Sequence, residues 1–252
     1  MIRAIYVDFD GCLAAAAPGA TIDLDLVRLV RDVNRRNRLG QPVPFVAINS
    51  GRPEPFVEAM AQVFDVKEYC IFENGAGIFR CTGGPIEFEL DSRLPATTKF
   101  DFAGLAAAVL DRHGMWAQPG KDFNLTYIFE MDDPHKPDVE ATIQDFIEER
   151  QAPWYIDSGV NFLNVVVAGT SKGTGIDMVM ERCGLQAGEI AGIGDSNSDW
   201  AFLEKCWYAA CPSNGSEELK ARVDYVSTFP DTRGTADIIG KILREATPRA
   251  ST

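Results

Sequence analysis

The sequence predicts an α/β fold, a parallel sheet core interrupted by a smaller inserted α+β unit. Near-continuous apolar runs alternate with amphipathic stretches in the first third of the chain and again in the last third. That is the pattern of parallel strands covered by helices on both faces. Between them, from about residue 80 to 167, "PIEFELD" and "FNLTYIFEM" alternate apolar and polar residues, as strands with one exposed face do. No internal repeat or low-complexity linker separates the parts.

Taken in order, "IRAIYVDF" reads as a buried strand, and "DLDLVRLVRDVNRRN" places Leu26, Leu29, Val30 and Val33 on one helical face. "PVPFVAIN" is strand-like, "PEPFVEAMAQVF" helical, and "EYCIFE" strand-like again. In the inserted unit, helices are expected around Phe102 to Leu110 and Val139 to Ile147, and "WYIDSGVNFLNVVV" as two short strands across a turn. The α/β rhythm resumes at "SKGTGIDMVMERCG", with Ser171 as N-cap, Ile176, Val179, Met180 and Cys183 on one face, and Gly184 as the stop. "EIAGIGD", "WYAAC" and "DYVST" follow as strands, with a final helix near Thr235 to Arg244.

The 252 residues carry 46% hydrophobic and 24% charged side chains, ordinary values for a globular chain able to bury a sizeable core. A net charge of −13 argues against a nucleic-acid surface, which needs a basic patch. An acidic protein that handles anions must use a few local Lys or Arg residues. The six cysteines show no paired CxxC spacing, and the two histidines, His113 and His135, make a histidine-based zinc site improbable. The chain opens without a signal-peptide pattern, and no apolar run reaches the roughly 18 residues of a membrane span, so a cytoplasmic protein is expected.

Three apolar runs end in polar residues: "IYV" in Asp8, "FVAI" in "NSGR", and "IAGIG" in "DSNSD". Ligands of open parallel sheets bind at the carboxyl ends of the strands, so Asp8, Ser50 and Asp195 are expected to converge. Asp8 and Asp10 share one side of an extended segment, and Asp195 and Asp199 share one side of a helical turn. Four carboxylates at one edge repel each other unless a cation lies between them. Magnesium, with oxygen ligands and room for water and a substrate phosphate, suits such a site. Ser50, the backbone of Gly51 and Lys172 at a helix start supply phosphate donors.

"DFDG", "NSGR", "SKG" and "GDSNSD", in this order, resemble the four motifs of the haloacid dehalogenase-like phosphatases. The long insertion between the second and third motifs resembles the cap of the branch containing sugar phosphatases, phosphoglycolate phosphatases and phosphomannomutases, and "FENGA" and "PSNGSEELKARVDYVS" resemble further segments of that branch. The resemblance implies a Rossmann-like parallel sheet core over residues 1–80 and 168–252 and an inserted α+β cap domain over residues 81–167. It also implies a magnesium-dependent phosphatase acting on a small phosphorylated metabolite, of sugar phosphate or phosphoglycolate type. Asp8 is then the nucleophile, forming an aspartyl-phosphate, and Asp10 the general acid and base. Magnesium is held by Asp8, the backbone carbonyl of Asp10, and Asp195, with Asp199 a ligand or a partner behind them; Ser50, Gly51 and Lys172 hold the phosphoryl oxygens.

Two positions depart from the family pattern: Cys12 stands where threonine is usual, and Ser198 where asparagine is frequent. Further substrate-binding candidates are Arg52, Lys121 and Asn214. Arg52 either touches substrate or locks the cap through an acidic partner. Lys121 either meets a substrate anion or is an exposed turn lysine. Asn214 is expected near the metal edge, and Asn74–Gly75 is a hairpin turn signal. A phosphomutase acting on sugar phosphates and a non-catalytic binding protein of the same fold are the competing readings; the second predicts loss of Asp8, Asp10 or Lys172, and all three are present.

Overall fold

In the computed structural model, which describes residues 1–17, 19–159 and 161–246, the apolar runs of both outer thirds assemble into one parallel sheet. Its strands are β1 (Ala4–Val7), β2 (Phe45–Ile48), β9 (Ile190–Ile193), β10 (Tyr208–Cys211) and β11 (Tyr225–Val226), in the order β11-β10-β9-β1-β2. β1 is therefore flanked by a strand close in sequence on one side and a distant one on the other. This is the switch point at which a parallel sheet opens a crevice beyond its carboxyl ends.

α1 (Leu24–Arg38) and α2 (Glu54–Phe64) connect the first strands. Asp23 caps α1 by accepting from the backbone N–H of Asp25 and Leu26. Leu26, Val30 and Val33 are buried and Leu29 packs beside them, as the helical spacing requires. Each such side chain stabilises the fold by about 1.5–3 kcal/mol when fully buried. Buried Asn34 pairs its amide with the backbone of Val46, at 2.7 and 3.1 Å, and so closes the free edge of β2.

β3 (Cys70–Phe72), β4 (Gly77–Arg80) and β5 (Glu87–Leu90) form an antiparallel sheet attached to the end of β2, where the Ser50 N–H donates to the Ile71 carbonyl at 3.0 Å. The Asn74–Gly75 pair does turn the chain between two antiparallel strands. A third sheet, order β6-β8-β7, consists of β6 (Asn124–Ile128), β7 (Trp154–Ser158) and β8 (Phe162–Val167). Val160, in the β7–β8 turn, lies outside the described residues. One face of this sheet is covered by α3 (Thr98–His113) and α4 (Lys136–Arg150), around a second apolar core in which Trp154 stacks on Phe102 with ring centroids 4.3 Å apart.

There are two apolar cores: one draws on the parallel sheet, its helices, β3 and β4, with Cys81 and Phe123 packed against it, and the other on residues 94–167. β5 is the exception in connectivity, since it lies within 81–167 yet hydrogen-bonds to β4. The remaining helices are α5 (Lys172–Cys183), α6 (Trp200–Leu203), α7 (Glu217–Lys220) and α8 (Asp231–Ala246). Ser171 and Gly184 bound α5 as the sequence predicts. No helix among the described residues is long and apolar enough to cross a membrane.

Candidate active site

β1 ends at Val7, and the next residue, Asp8, is buried at the carboxyl edge of the sheet, its N–H bonded to the Ile193 carbonyl at 2.9 Å. Strand pairing alone thus brings the end of β1 against the end of β9 and the loop that carries Asp195. Lys172 reaches the same point from the first turn of α5. Its Nζ lies 2.6 Å from Asp8 Oδ1 and 2.6 Å from Asp199 Oδ1, and all three side chains are buried. α5 approaches closely because residue 173 is glycine: a Cβ there would fall 1.9 Å from the Ala201 carbonyl oxygen of α6.

Asp8, Asp195 and Asp199 each offer a carboxylate oxygen within 4.8 Å of the others. Burial raises Asp8 well above the usual carboxylate range, the charge of Asp199 adds to this, and Lys172 works against it. Asp195 is pushed up to about 7 by burial and then by Asp199. Burial acts to lower Lys172, but the charges of Asp199 and Asp8 outweigh it and hold the ammonium above its ordinary value. One cation among three carboxylates leaves the edge short of positive charge. An oxygen-lined, electron-rich pocket of this kind fits a hard divalent cation.

Asp199 has both oxygens engaged: Oδ1 accepts from Lys172, and Oδ2 accepts from the N–H of Asp195 and Ser196 and from the Ser196 hydroxyl, at 2.9–3.0 Å. Ser198 is exposed and shares a hydrogen bond with Ser196, so the departure at that position lies on the outer side of the loop. The Asn214 amide donates to the Gly11 carbonyl at 3.0 Å and approaches Asp195 Oδ2 at 3.4 Å, which places it at the acidic edge. Cys12 is buried beside the same carboxylates, and burial pushes its thiol up, which keeps it protonated.

Asp10 stands apart from the three clustered carboxylates. Arg52 grips it with two hydrogen bonds, Nε to Oδ2 at 2.8 Å and Nη2 to Oδ1 at 2.6 Å, and lies over the Phe56 ring. The acidic partner of Arg52 thus belongs to the β1 loop and not to the inserted unit. Ser50 is fully buried, and its Oγ accepts from the Arg52 N–H at 3.1 Å. It does not cap α2, whose N-cap is Pro53, because the proline delays the helix start. Asn74 sits against Gly51: a Cβ on Gly51 would come within 2.7 Å of its Oδ1.

Lys121 is not an exposed turn lysine. It is half-buried and donates to Thr126 Oγ1 at 2.6 Å. Burial lowers it to about 8; Glu73 works against that, while Arg52 and Lys172 lower it further and Asp10 opposes them, so it feels the groups of the acidic edge. Glu73 is the residue that sequence reasoning missed. Its carboxylate accepts the N–H groups of Asp122, Phe123 and Asn124 at 2.7–3.1 Å and ties the inserted unit to the β3–β4 turn. Burial pushes Glu73 up to about 7 against those three donors and Lys121. The available signal was an acid closing the apolar run "CIF" just before Asn74–Gly75.

A family model of haloacid dehalogenase-like hydrolases matches residues 117–239. Among curated proteins, the phosphoglycolate phosphatase of Staphylothermus marinus is 23% identical over 96% of this chain and 98% of its own length. Among solved structures, a haloacid dehalogenase-like hydrolase from Bacteroides thetaiotaomicron superposes with a TM-score of 0.74 at 15% identity, covering 96% of this chain and all of that one. The sucrose-phosphatase of Synechocystis, solved with sucrose and phosphate, superposes with a TM-score of 0.66 at 15% identity over 96% of this chain and 98% of its own. An α/β enzyme core with its acidic edge at the switch point defines the class. By these likenesses the chain is similar to the haloacid dehalogenase-like hydrolases.

Proposed function

We propose that the chain is a magnesium-dependent phosphatase that hydrolyses a small phosphorylated metabolite, of sugar phosphate or phosphoglycolate type, through an aspartyl-phosphate on Asp8. The observation that carries this is the buried Asp8–Lys172–Asp199 triad at the end of β1, with Asp195 beside it. Buried carboxylates in such number are costly unless paired or bound to a cation, and sites that hold them are functional in character. The relatives and structural neighbours that span nearly the whole chain support the reaction class.

Asp8 attacks phosphorus in line, and Lys172 orients its carboxylate and neutralises phosphoryl oxygens. Ser50 and the backbone N–H of Gly51 add donors at the neighbouring strand end. Asp10 protonates the leaving oxygen and then takes a proton from the water that hydrolyses the acyl phosphate, a role worth roughly 10²- to 10⁴-fold. Arg52 orients Asp10 through its two hydrogen bonds, and its guanidinium also offers donors to an incoming phosphate dianion. Asp8, the Asp10 carbonyl and Asp195 would hold magnesium, while Asp199 holds Lys172 and the Asp195 loop from behind. When bound, the ion supplies charge neutralisation between the carboxylates and the substrate phosphate. Residues 81–167 serve as the cap over this edge, with residues 1–80 and 168–252 as the core.

Phosphate release from a panel of phosphorylated metabolites, with magnesium and with chelator, tests the reading against Asp8→Asn. Release should require magnesium and vanish in the variant, which should still unfold cooperatively. Near-normal hydrolysis by Asp8→Asn, or release indifferent to chelator, would overturn it.

A further inference from the structure

The inserted sheet has two faces. Leu125 and Tyr127 of β6, Leu163, Val165 and Val167 of β8, and Trp154 and Ile156 of β7 point into the second apolar core. Strand alternation sends the intervening residues to the opposite face. There, Thr126, Asn164 and Asp157 lie directly across from one another on the three strands.

They form one hydrogen-bonded row that begins at Lys121. The ammonium donates to Thr126 Oγ1 at 2.6 Å, the Thr126 hydroxyl donates to Asn164 Oδ1 at 2.7 Å, and Asn164 Nδ2 donates to Asp157 Oδ2 at 3.3 Å. Lys121 marks the end of the row nearest the acidic edge: a Cβ on its neighbour Gly120 would lie 3.6 Å from Pro53, next to Arg52, and Glu73 holds the N–H groups of Asp122, Phe123 and Asn124. On the same face, fully buried Asn124 has an amide whose Nδ2 and Oδ1 find no hydrogen-bond partner among the described residues.

The chemistry of this row is that of donor and acceptor in alternation. Lys121 retains two N–H groups, Asn164 one, Asn124 both kinds of atom, and Asp157 a further acceptor oxygen. Hydroxyl groups, which donate and accept at once, satisfy such a row; a carboxylate satisfies only its donors. Nor does the face hold surplus positive charge. Within the row, the ammonium of Lys121 at one end is matched by the carboxylate of Asp157 at the other.

We infer that Lys121, Asn124, Thr126, Asn164 and Asp157 form the leaving-group subsite, and that it selects a phosphate ester of an uncharged, polyhydroxylated carbon chain over that of a short hydroxy acid. This rests on the phosphatase reading and narrows it to the sugar or polyol class. A site built to hydrogen-bond hydroxyls rejects a substrate that leaves its polar groups unpaired.

The test compares kcat/KM of the full chain, with magnesium, for glucose 6-phosphate, erythrose 4-phosphate, phosphoglycolate and p-nitrophenyl phosphate. At least one sugar phosphate should exceed phosphoglycolate. In Asn164→Leu the ratio of that sugar phosphate to phosphoglycolate should fall about tenfold or more, chiefly through KM. Asp157→Asn, at a half-exposed position that tolerates the change, should lower the same ratio in the same direction. A wild-type preference for phosphoglycolate, or a ratio that neither variant moves, would overturn the subsite while leaving the phosphatase standing. No release from any of the four compounds, p-nitrophenyl phosphate included, would remove both.

Discussion

Gly11 follows the two aspartates with φ +83°, and a Cβ on it would lie 2.1 Å from Asp195 Oδ2. Both facts point to the same need: the β1 loop must turn within contact distance of the β9 loop, so that Asp8 and Asp195 share one edge. An alanine cannot take this position without strain or a shift of the carboxylate it strikes. Gly11→Ala should therefore cost about 1–3 kcal/mol of stability, read from thermal melting. It should also lower turnover by about 10²-fold, the effect of misplacing reacting groups by an ångström. Asp10 shows the opposite arrangement. Its side chain is about a third exposed, and it gains its orientation from the two-pronged contact with Arg52 rather than from burial.

α5 shows how an element presents a buried charged group, Lys172. Ser171 and Thr174 form a reciprocal cap: Ser171 Oγ accepts from the Thr174 N–H and Thr174 Oγ1 from the Ser171 N–H. This fixes the first turn from which Lys172 projects, while Ile176 and Val179 anchor the helix in the main core. Ser171→Ala leaves the Thr174 N–H without its acceptor. It should lower stability by about 0.5–2 kcal/mol, visible as a reduced urea midpoint with unchanged slope. The β3–β4 turn is the corresponding device for the inserted unit. Glu73 and Asn74 both adopt positive φ there, at 45° and 56°. That strained turn aims the Glu73 carboxylate at three consecutive N–H groups of the segment leading into β6.

For the whole molecule, a chain of net charge −13 concentrates several carboxylates at one edge, and on the proposed function its stability should depend on pH and magnesium together. Asp195 and Glu73 are both raised to about 7 in the folded protein. A carboxyl raised in this way contributes stability fully below its unfolded value, near ~4, and loses it as pH rises through the folded value. The metal-free protein should therefore melt at falling temperature as pH rises from 5.5 to about 8. Magnesium bound through Asp195 needs the ionised form, so its gain in melting temperature should grow over the same interval. A magnesium gain that is constant or shrinks with pH would place the ion elsewhere.

The proposed catalytic set was legible as a set of candidates because each member stands at a punctuation point. Asp8, Ser50 and Asp195 close apolar strands, and Lys172 opens a helix between a cap serine and glycine. Such positions follow from local rules: apolar runs make parallel strands, and parallel strands bring their carboxyl ends together. The N-cap and stop of α5 and the apolar face of α1 were legible for the same reason.

Pairings across the chain were decided only in three dimensions. Nothing near Arg52 in sequence specifies Asp10 as its partner, 42 residues away, and nothing near Glu73 specifies the N–H groups of Asp122 to Asn124. The face of β6 carrying Thr126 becomes a row with Asn164 and Asp157 only when β8 lies between β6 and β7. The sequence by itself determined which groups lie at the ends of the core strands, because strand period and capping are local. The tertiary structure decided which charges meet, because burial and long-range pairing set the state and direction of a carboxylate or an ammonium.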